Sequence, residues 1–196
     1  MVTQNTVISF EQLVQDFGSL FRHRVFRLET LDWYDAPNEH EPYARFLAGE
    51  PADLAWREPW KRLVRDVRAS GRTMSRVHVV SEPVSDYIRF ELLHVYPANV
   101  EAGEDVRILG REAMTAQLRL RGDFWLFDDD LAALLAYDGA GRVEGVNLVS
   151  KTQAQATSMP FMLPLFREAR DKALRLATPL AQYVAEHNIT ERKHAA

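Results

Sequence analysis

Arg76, His78, Glu82, Asp86, Tyr87, Arg89, Glu91 and His94 crowd into one short stretch of the chain. Arg76 and His78 have the spacing that places two side chains on one face of a strand. Glu82, Asp86 and Arg89 follow at helical spacing, as do Tyr87, Glu91 and His94, so each trio makes one polar stripe on a helix. If one stripe faces the end of a sheet, an acid, a base and a cation meet in a pocket that can clamp an anion or move a proton. The plainer reading is a solvated helix face crossed by weak ion pairs.

Three other groupings carry chemical potential. Asp128, Asp129 and Asp130 could hold a hard cation. Neighbours on a strand point to opposite faces, however, so a turn whose Asp side chains cap backbone N–H groups is the better reading, and no metal site is expected. Trp33, Tyr34, Trp56, Trp60 and Trp125 could form a stacking platform, but Trp60 and Trp125 sit in apolar patterns that read as core. Trp33 and Tyr34, flanked by polar residues, are expected to be exposed. Arg57, Lys61, Arg62, Arg65, Arg68 and Arg72 form a basic block that would attract an acidic partner or nucleic acid.

Recognisable reaction machinery is missing. Gly139, Gly141 and Gly145 lack the following helix that a phosphate-cradling loop needs, and read as a hairpin. There is no Walker A loop, no zinc-protease His pair and no Gly-x-Ser-x-Gly elbow. No cofactor is implied. With no cysteine, disulfides, thiolate metal sites and a Cys nucleophile are excluded, which fits a reducing cytoplasm. The N-terminus does not read as a signal peptide and none is expected, and no apolar run approaches membrane-spanning length. A formal charge of −4 over 196 residues argues against a dedicated nucleic-acid binder, although a local basic face would survive that argument.

The elements that must position these groups can be drawn from periodicity. Ser9 caps a helix through Phe10, Leu13, Val14 and Phe17, with Gln12 completing a capping box. His23–Thr30 alternates as a strand, and residues 39–47 suggest a short helix. Pro59 opens a clearer helix with Trp60, Leu63, Val64 and Val67 as its buried stripe and Gly71 as its left-handed cap. Thr73–Val80 is a strand. A helix from Ser81 and Pro83 should run until Pro97 stops it, and Asp105–Leu109 returns as a strand. Phe124–Phe127, Leu131–Tyr137 and Val143–Val149 read as antiparallel strands, the last two joined by an Asp138-Gly-Ala-Gly hairpin. A polar link over 150–158 leads to one long C-terminal helix, about Pro160 to His187, and a frayed tail over 188–196. The expectation is one α+β domain spanning 1–196, with an α/β-like core and a mixed sheet of about six strands.

Several of these segments together resemble an uncharacterised actinobacterial family. They are Ser9-Phe10-Glu11 with Phe17, Phe26-Arg27-Leu28-Glu29-Thr30, Arg76-Val77-His78-Val79-Val80-Ser81-Glu82-Pro83, Asp86-Tyr87, Ala102-Gly103-Glu104, Asp123-Phe124-Trp125-Leu126-Phe127-Asp128, and Tyr137-Asp138 with Gly141. The resemblance spans about Ser9 to Val149. It implies a domain of unknown function whose members often accompany helix-turn-helix regulators. The strand–helix–strand order also looks like one lobe of a phospholipase D-like fold. That fold uses a His-x-Lys motif, and none of the six histidines here is followed by lysine at the second position, so no catalytic residue carries over.

The expectation for function is therefore a non-enzymatic cytoplasmic accessory protein that binds a protein partner, such as a transcriptional regulator, or a small ligand. Direct nucleic-acid binding is not expected, and association with a second copy is left open. The expected surface is Arg76, His78, Ser81, Glu82, Tyr87, Arg89, Trp125 and Asp128, with Tyr87 and Trp125 as anchors. The alternative is a phosphoester- or nucleotide-processing enzyme of degenerate phospholipase D-like fold, in which Arg76 and Arg89 clamp phosphate and His78, Glu82 or Asp128 move protons.

Overall fold

The structure, a computed structural model, describes residues 6–51, 53–151 and 162–191. Its centre is a run of three parallel strands, β2 (Arg24–Glu29), β3 (Thr73–Val80) and β4 (Asp105–Gly110). Each pair is joined by a helical crossover. Between β2 and β3 lie α2 (His40–Leu47) and α3 (Glu58–Ala69). Between β3 and β4 lie α4 (Asp86–Phe90), a π-helical turn (Glu91–Val95) and α5 (Tyr96–Ala102). Successive crossovers of one hand, stepping the same way across the sheet, lay their helices on the same face.

Antiparallel strands extend the sheet on both sides. After a one-turn α6 (Ala116–Arg119), β5 (Phe124–Phe127) pairs with β2, then β6 (Leu131–Tyr137) and β7 (Val143–Ser150) continue as a meander. A short β1 (Thr6–Ile8) closes that edge, and a two-residue β8 (Thr178–Pro179) closes the other. The order is β1-β7-β6-β5-β2-β3-β4-β8, so the α+β class stands, while the sheet has eight strands rather than about six. The two extra strands are too short to leave a period-two signal.

The two faces of the sheet are chemically different. Phe26, Leu28, Val77, Val79, Leu109, Phe124 and Leu126 face α7 (Met162–Leu176), whose Leu163, Phe166, Ala169 and Ala173 complete a dry core. On the opposite face one apolar cluster gathers around Phe17, Val25, Val64, Val67, Trp125 and Phe127, with α1 (Phe10–Asp16) and α3 above it. A second gathers around Tyr87, Phe90, Tyr96, Val106 and Ile108, with α4, α5 and α8 (Leu180–Glu186). Polar strand residues occupy the band between them.

Most local signals hold. Ser9 caps α1 by accepting from the Gln12 N–H at 3.1 Å, although the Gln12 side chain turns to Asp16 instead of closing the box. Gly71 is left-handed after α3, and the Asp138 carboxylate accepts from the N–H groups of Ala140 and Arg142 in the hairpin. Three expectations fail. The third helix is capped by Ser85, whose hydroxyl accepts from the Ile88 N–H, and Ser81 stays outside it. Pro97 does not end that helix: the backbone N–H of Tyr96 donates to the Glu91 carbonyl across the π turn, and this wider turn accommodates the proline in the first turn of α5. The long C-terminal helix is broken at Ala177, where Thr178 and Pro179 leave to pair with β4. Its expected start at Pro160 and most of the 150–158 link lie outside the described residues, as does the tail beyond 191.

Gly103 ends α5 with φ +117°, and a Cβ there would lie 2.6 Å from Arg68 Cδ. Gly71 has φ +77° with open space around it. Gly71→Ala should therefore cost only the backbone term, about 1 kcal/mol. Gly103→Ala should cost more, about 2–3 kcal/mol, because Arg68 must also move. Urea unfolding of the two variants checks the order, and equal losses would count against the Arg68 contact.

Candidate functional site

Parallel pairing sets Arg27 beside Arg76 and Glu29 beside His78, all on the helix-covered face. Two arginines side by side in a buried layer demand carboxylates, and each neighbouring element supplies one. Glu29 Oε2 accepts from Arg76 Nη1 at 2.7 Å, and Glu104, just past Gly103, accepts from Arg76 Nε at 2.9 Å. Glu104 also accepts from Trp60 Nε1 at 3.3 Å. Arg27 lies 3.4 Å from Glu29 and 3.6 Å from Asp123, donates to the Tyr137 hydroxyl and stacks over Trp125. Asp123 in turn accepts from the Tyr34 hydroxyl and from both the N–H and hydroxyl of Thr30.

His78 is fully enclosed. Its Nε2 lies 2.8 Å from the Leu31 carbonyl and its Nδ1 lies 2.6 Å from the Tyr96 hydroxyl. A carbonyl can only accept, so Nε2 carries the proton and Nδ1 accepts from Tyr96. Burial lowers the pKa of His78 against the pull of Glu29, and the ring is neutral. Burial alone would raise Glu29, but Arg76 and Arg27 outweigh it and bring its pKa to about 2.

The carboxyl ends of the parallel strands, where open α/β sheets commonly bind ligands, are already filled by the protein itself. Asp32 accepts from both the N–H and hydroxyl of Ser81, at 2.8 and 2.5 Å. Arg111 donates to the Ser81 hydroxyl, to Asp32 and to the Thr30 carbonyl. Beside this knot, Glu82 accepts from the Tyr183 hydroxyl at 2.7 Å and lies 3.1 Å from His187, which pins α8.

The opposite end of the same strands is open. A groove of about 540 Å³ runs between the starts of β2, β3 and β4, with the end of α3 and the flank of α7 as walls. Its lining holds Arg24, Arg68, Arg72, Arg107 and Arg170 against Asp105 and Asp171, over a floor that includes Met74, Leu126 and Leu174. Some of these cations are committed. Arg24 and Arg170 both pair with Asp129, Arg72 donates to the carbonyls of Gly18 and Phe21, and Arg107 pairs with Asp105 at 3.1 Å. Arg68 makes no ion pair among the described residues.

The eight residues expected to form one recognition surface do not do so. Arg76, His78, Tyr87 and Trp125 are buried, Tyr87 donating to Glu39 and Trp125 packing between Phe17 and Trp60. Ser81 and Glu82 belong to the carboxyl-end knot, and Arg89 donates to the Thr190 carbonyl. Asp128 lies at the other end of the sheet, left-handed with φ +50°, accepting from the N–H groups of Arg22, His23 and Arg24. The Asp-rich segment is thus a turn, and no metal-holding cluster occurs among the described residues. The phosphate clamp and proton carriers of the enzymatic alternative do not converge. Trp33 is exposed as expected, but Tyr34 is tied inward by its hydroxyl. Of the basic block, Arg65 pairs with Glu58, Lys61 with Glu101 and Arg57 with Asn99, and Arg62 is exposed outside the groove, which leaves Arg68 and Arg72 to it. Arg24, Arg107 and Arg170 carry no spacing signal, because only strand register and α7 bring them together.

Glu29→Gln should destabilise the protein by about 3–5 kcal/mol at pH 7, since it leaves two arginines short of a buried partner. Because the folded-state pKa of Glu29 lies below 4.5, its contribution is present above that pH and fades as pH falls towards 2; the deficit of the variant should narrow over the same window. Glu91 behaves in the opposite sense. Burial, and then Glu39, hold its pKa well above 4.5, so its contribution is complete at low pH and declines as pH rises through the folded value. Glu91→Gln should therefore lose less stability than wild type between pH 5 and 8, as denaturant midpoints across the range would show.

Among the described residues, no helix is long and apolar enough to cross a membrane. No curated protein matches the chain. The model of one family, described as a domain of unknown function (DUF6879), matches residues 10–185, which take in the whole parallel core, the charge layer and the groove. The chain belongs to the DUF6879 family.

Proposed function

We propose that the protein is a non-enzymatic binding module whose arginine groove takes an acidic segment of a partner protein, with an apolar side chain seated on the floor. One observation carries this reading: the groove at the amino ends of the parallel strands sets five arginines against two aspartates in a chain whose formal charge is −4. The groove is therefore a local reversal of sign, and complementary charge steers partners and fixes their orientation. Met74 and Leu174 add apolar surface that a bare polyanion would not use. A nucleic acid would call for a longer basic track than these strand ends offer.

The resemblance to a family that accompanies helix-turn-helix regulators makes an acidic, partly apolar segment of such a regulator the first partner to test. The phospholipase D-like analogy adds no site, because its histidine motif is missing and the one sheet histidine, His78, is enclosed.

The test uses a labelled peptide of alternating Glu and Leu, titrated with the full chain at two salt concentrations. Binding should weaken with salt. The double charge reversal Arg68→Glu and Arg107→Glu should weaken it by at least about tenfold, equivalent to about 1.4 kcal/mol, with little change in unfolding temperature. Unchanged affinity in the double variant would remove the groove from consideration. Equal binding of a single-stranded oligonucleotide of the same charge would show plain polyanion attraction instead.

A further inference from the structure

The groove at the amino ends of the strands does not have all its cations at its disposal. Asp129 stands outside the lining, in the turn between β5 and β6, yet it holds the ends of two arginines that line the groove. Arg24 Nη2 donates to Asp129 Oδ2 at 2.6 Å, and Arg170 Nη1 donates to Oδ1 of the same carboxylate. The two arginines differ in what else they have. Arg170 is 7% exposed and its Nε donates to Asp171 at 2.8 Å, so it keeps a carboxylate whatever Asp129 does. The guanidinium of Arg24 has no other partner among the described residues.

The turn does not need the Asp129 carboxylate to keep its shape. Asp128 gathers the N–H groups of Arg22, His23 and Arg24, and the Asp130 N–H donates to the Phe127 carbonyl. Arg167 donates from α7 to the Asp129 carbonyl. With the backbone fixed by these bonds, what remains for the Asp129 side chain is the restraint of arginines. The Arg24–Asp129 pair is also easily exchanged. Its two side chains are 49% and 34% exposed, and ion pairs so open to water are individually weak. A carboxylate arriving from outside competes with Asp129 on nearly equal terms.

We propose that Asp129 is a built-in competitor of the groove, which withholds Arg24 until a carboxylate of the partner takes its place. The inference rests on the reading of the groove as a site for an acidic segment. Binding then swaps one ion pair for another: the Arg24 guanidinium leaves Asp129 and meets the incoming carboxylate, while Arg170 stays on Asp171. A single small acid gains little from that swap, because Arg24 was already paired. A segment whose other acids also reach Arg68 and Arg107 gains those contacts as well, so the restraint favours segments with several carboxylates over small anions.

The test titrates the labelled Glu-Leu peptide with the full chain, wild type against Asp129→Asn. The variant should bind about three- to tenfold more tightly and weaken more steeply with salt, since one more cation is engaged. Loss of a negative charge by itself also favours an acidic peptide, so two controls separate the causes. Asp130 sits in the same turn and its carboxylate pairs with no arginine among the described residues; Asp130→Asn should gain less than about twofold. In an Arg24→Gln background, Asp129→Asn should gain nothing. An Asp129→Asn chain that binds no better than wild type would overturn the proposal, as would a gain that persists without Arg24. A crystal of the wild-type complex needs no variant: Arg24 bonded to a peptide carboxylate is the expected result, and Arg24 still on Asp129 counts against the exchange. If neither wild type nor Asp129→Asn binds the peptide, the groove reading itself fails and the inference goes with it. If both bind equally, the groove stands and only the inference fails.

Discussion

Two arginines placed side by side in the middle of a buried sheet face set the terms for everything packed on that face. Arg27 and Arg76 are 5% and 7% exposed and share one register position. Each charge would be prohibitively costly unless paired and hydrogen-bonded. The partners come from many directions: Glu29 from β2, Glu104 from the turn after α5, Asp123 from the loop before β5, Tyr137 from β6. Burying such a layer is not an efficient source of stability, since a well-packed apolar layer often does as well. What it supplies is specificity of arrangement. A strand slipped by one residue would turn Arg27 or Arg76 into the dry core under α7, away from every carboxylate.

This constraint also explains which end of the sheet is available. Asp32, Ser81, Arg111, Glu82 and Tyr183 close the carboxyl ends of β2, β3 and β4 with bonds between loops and α8. At the amino ends Asp128 gathers three successive N–H groups and fixes the chain as it enters β2. Arginines that begin strands or end α3 then surround a gap instead of filling it. The usual preference for the carboxyl ends is reversed because the protein's own side chains have taken that position.

Sequence reasoning reads the elements of this molecule well and its site poorly, for one physical reason. Periodicity reports which side of a helix or strand is buried, so α3, with Val64 and Val67 inward, and the β6–β7 hairpin are legible. It does not report whether a polar side is wet. Arg76 and His78 alternate with Val77 and Val79, a pattern that normally means one solvated face. In β3 both faces are covered, and the polar residues form an interior layer. A usable signal was present: β2 repeats the pattern with Arg27 and Glu29, and matched polar pairs in two strands of an α/β-like core point to a shared buried band. Pro97 misleads in a related way, because a proline rule written for regular helix does not anticipate a π turn just ahead of it.

α5 joins the groove to the charge layer: Gly103, whose N–H donates to the Asn99 carbonyl, borders the groove beside Arg68, and Asn99 is held from within by Arg57. Occupancy of the groove could act at a distance only through an element with two arrangements of similar energy. α5 has little such freedom. Tyr96 is held by His78, Asn99 by Arg57, and the residue after Gly103 is clamped to Arg76 and Trp60. Moving the helix would break several buried polar bonds together, at a cost beyond the 1–3 kcal/mol that ordinary coupling carries. The charge layer therefore holds α5 in one arrangement, and binding in the groove is read locally.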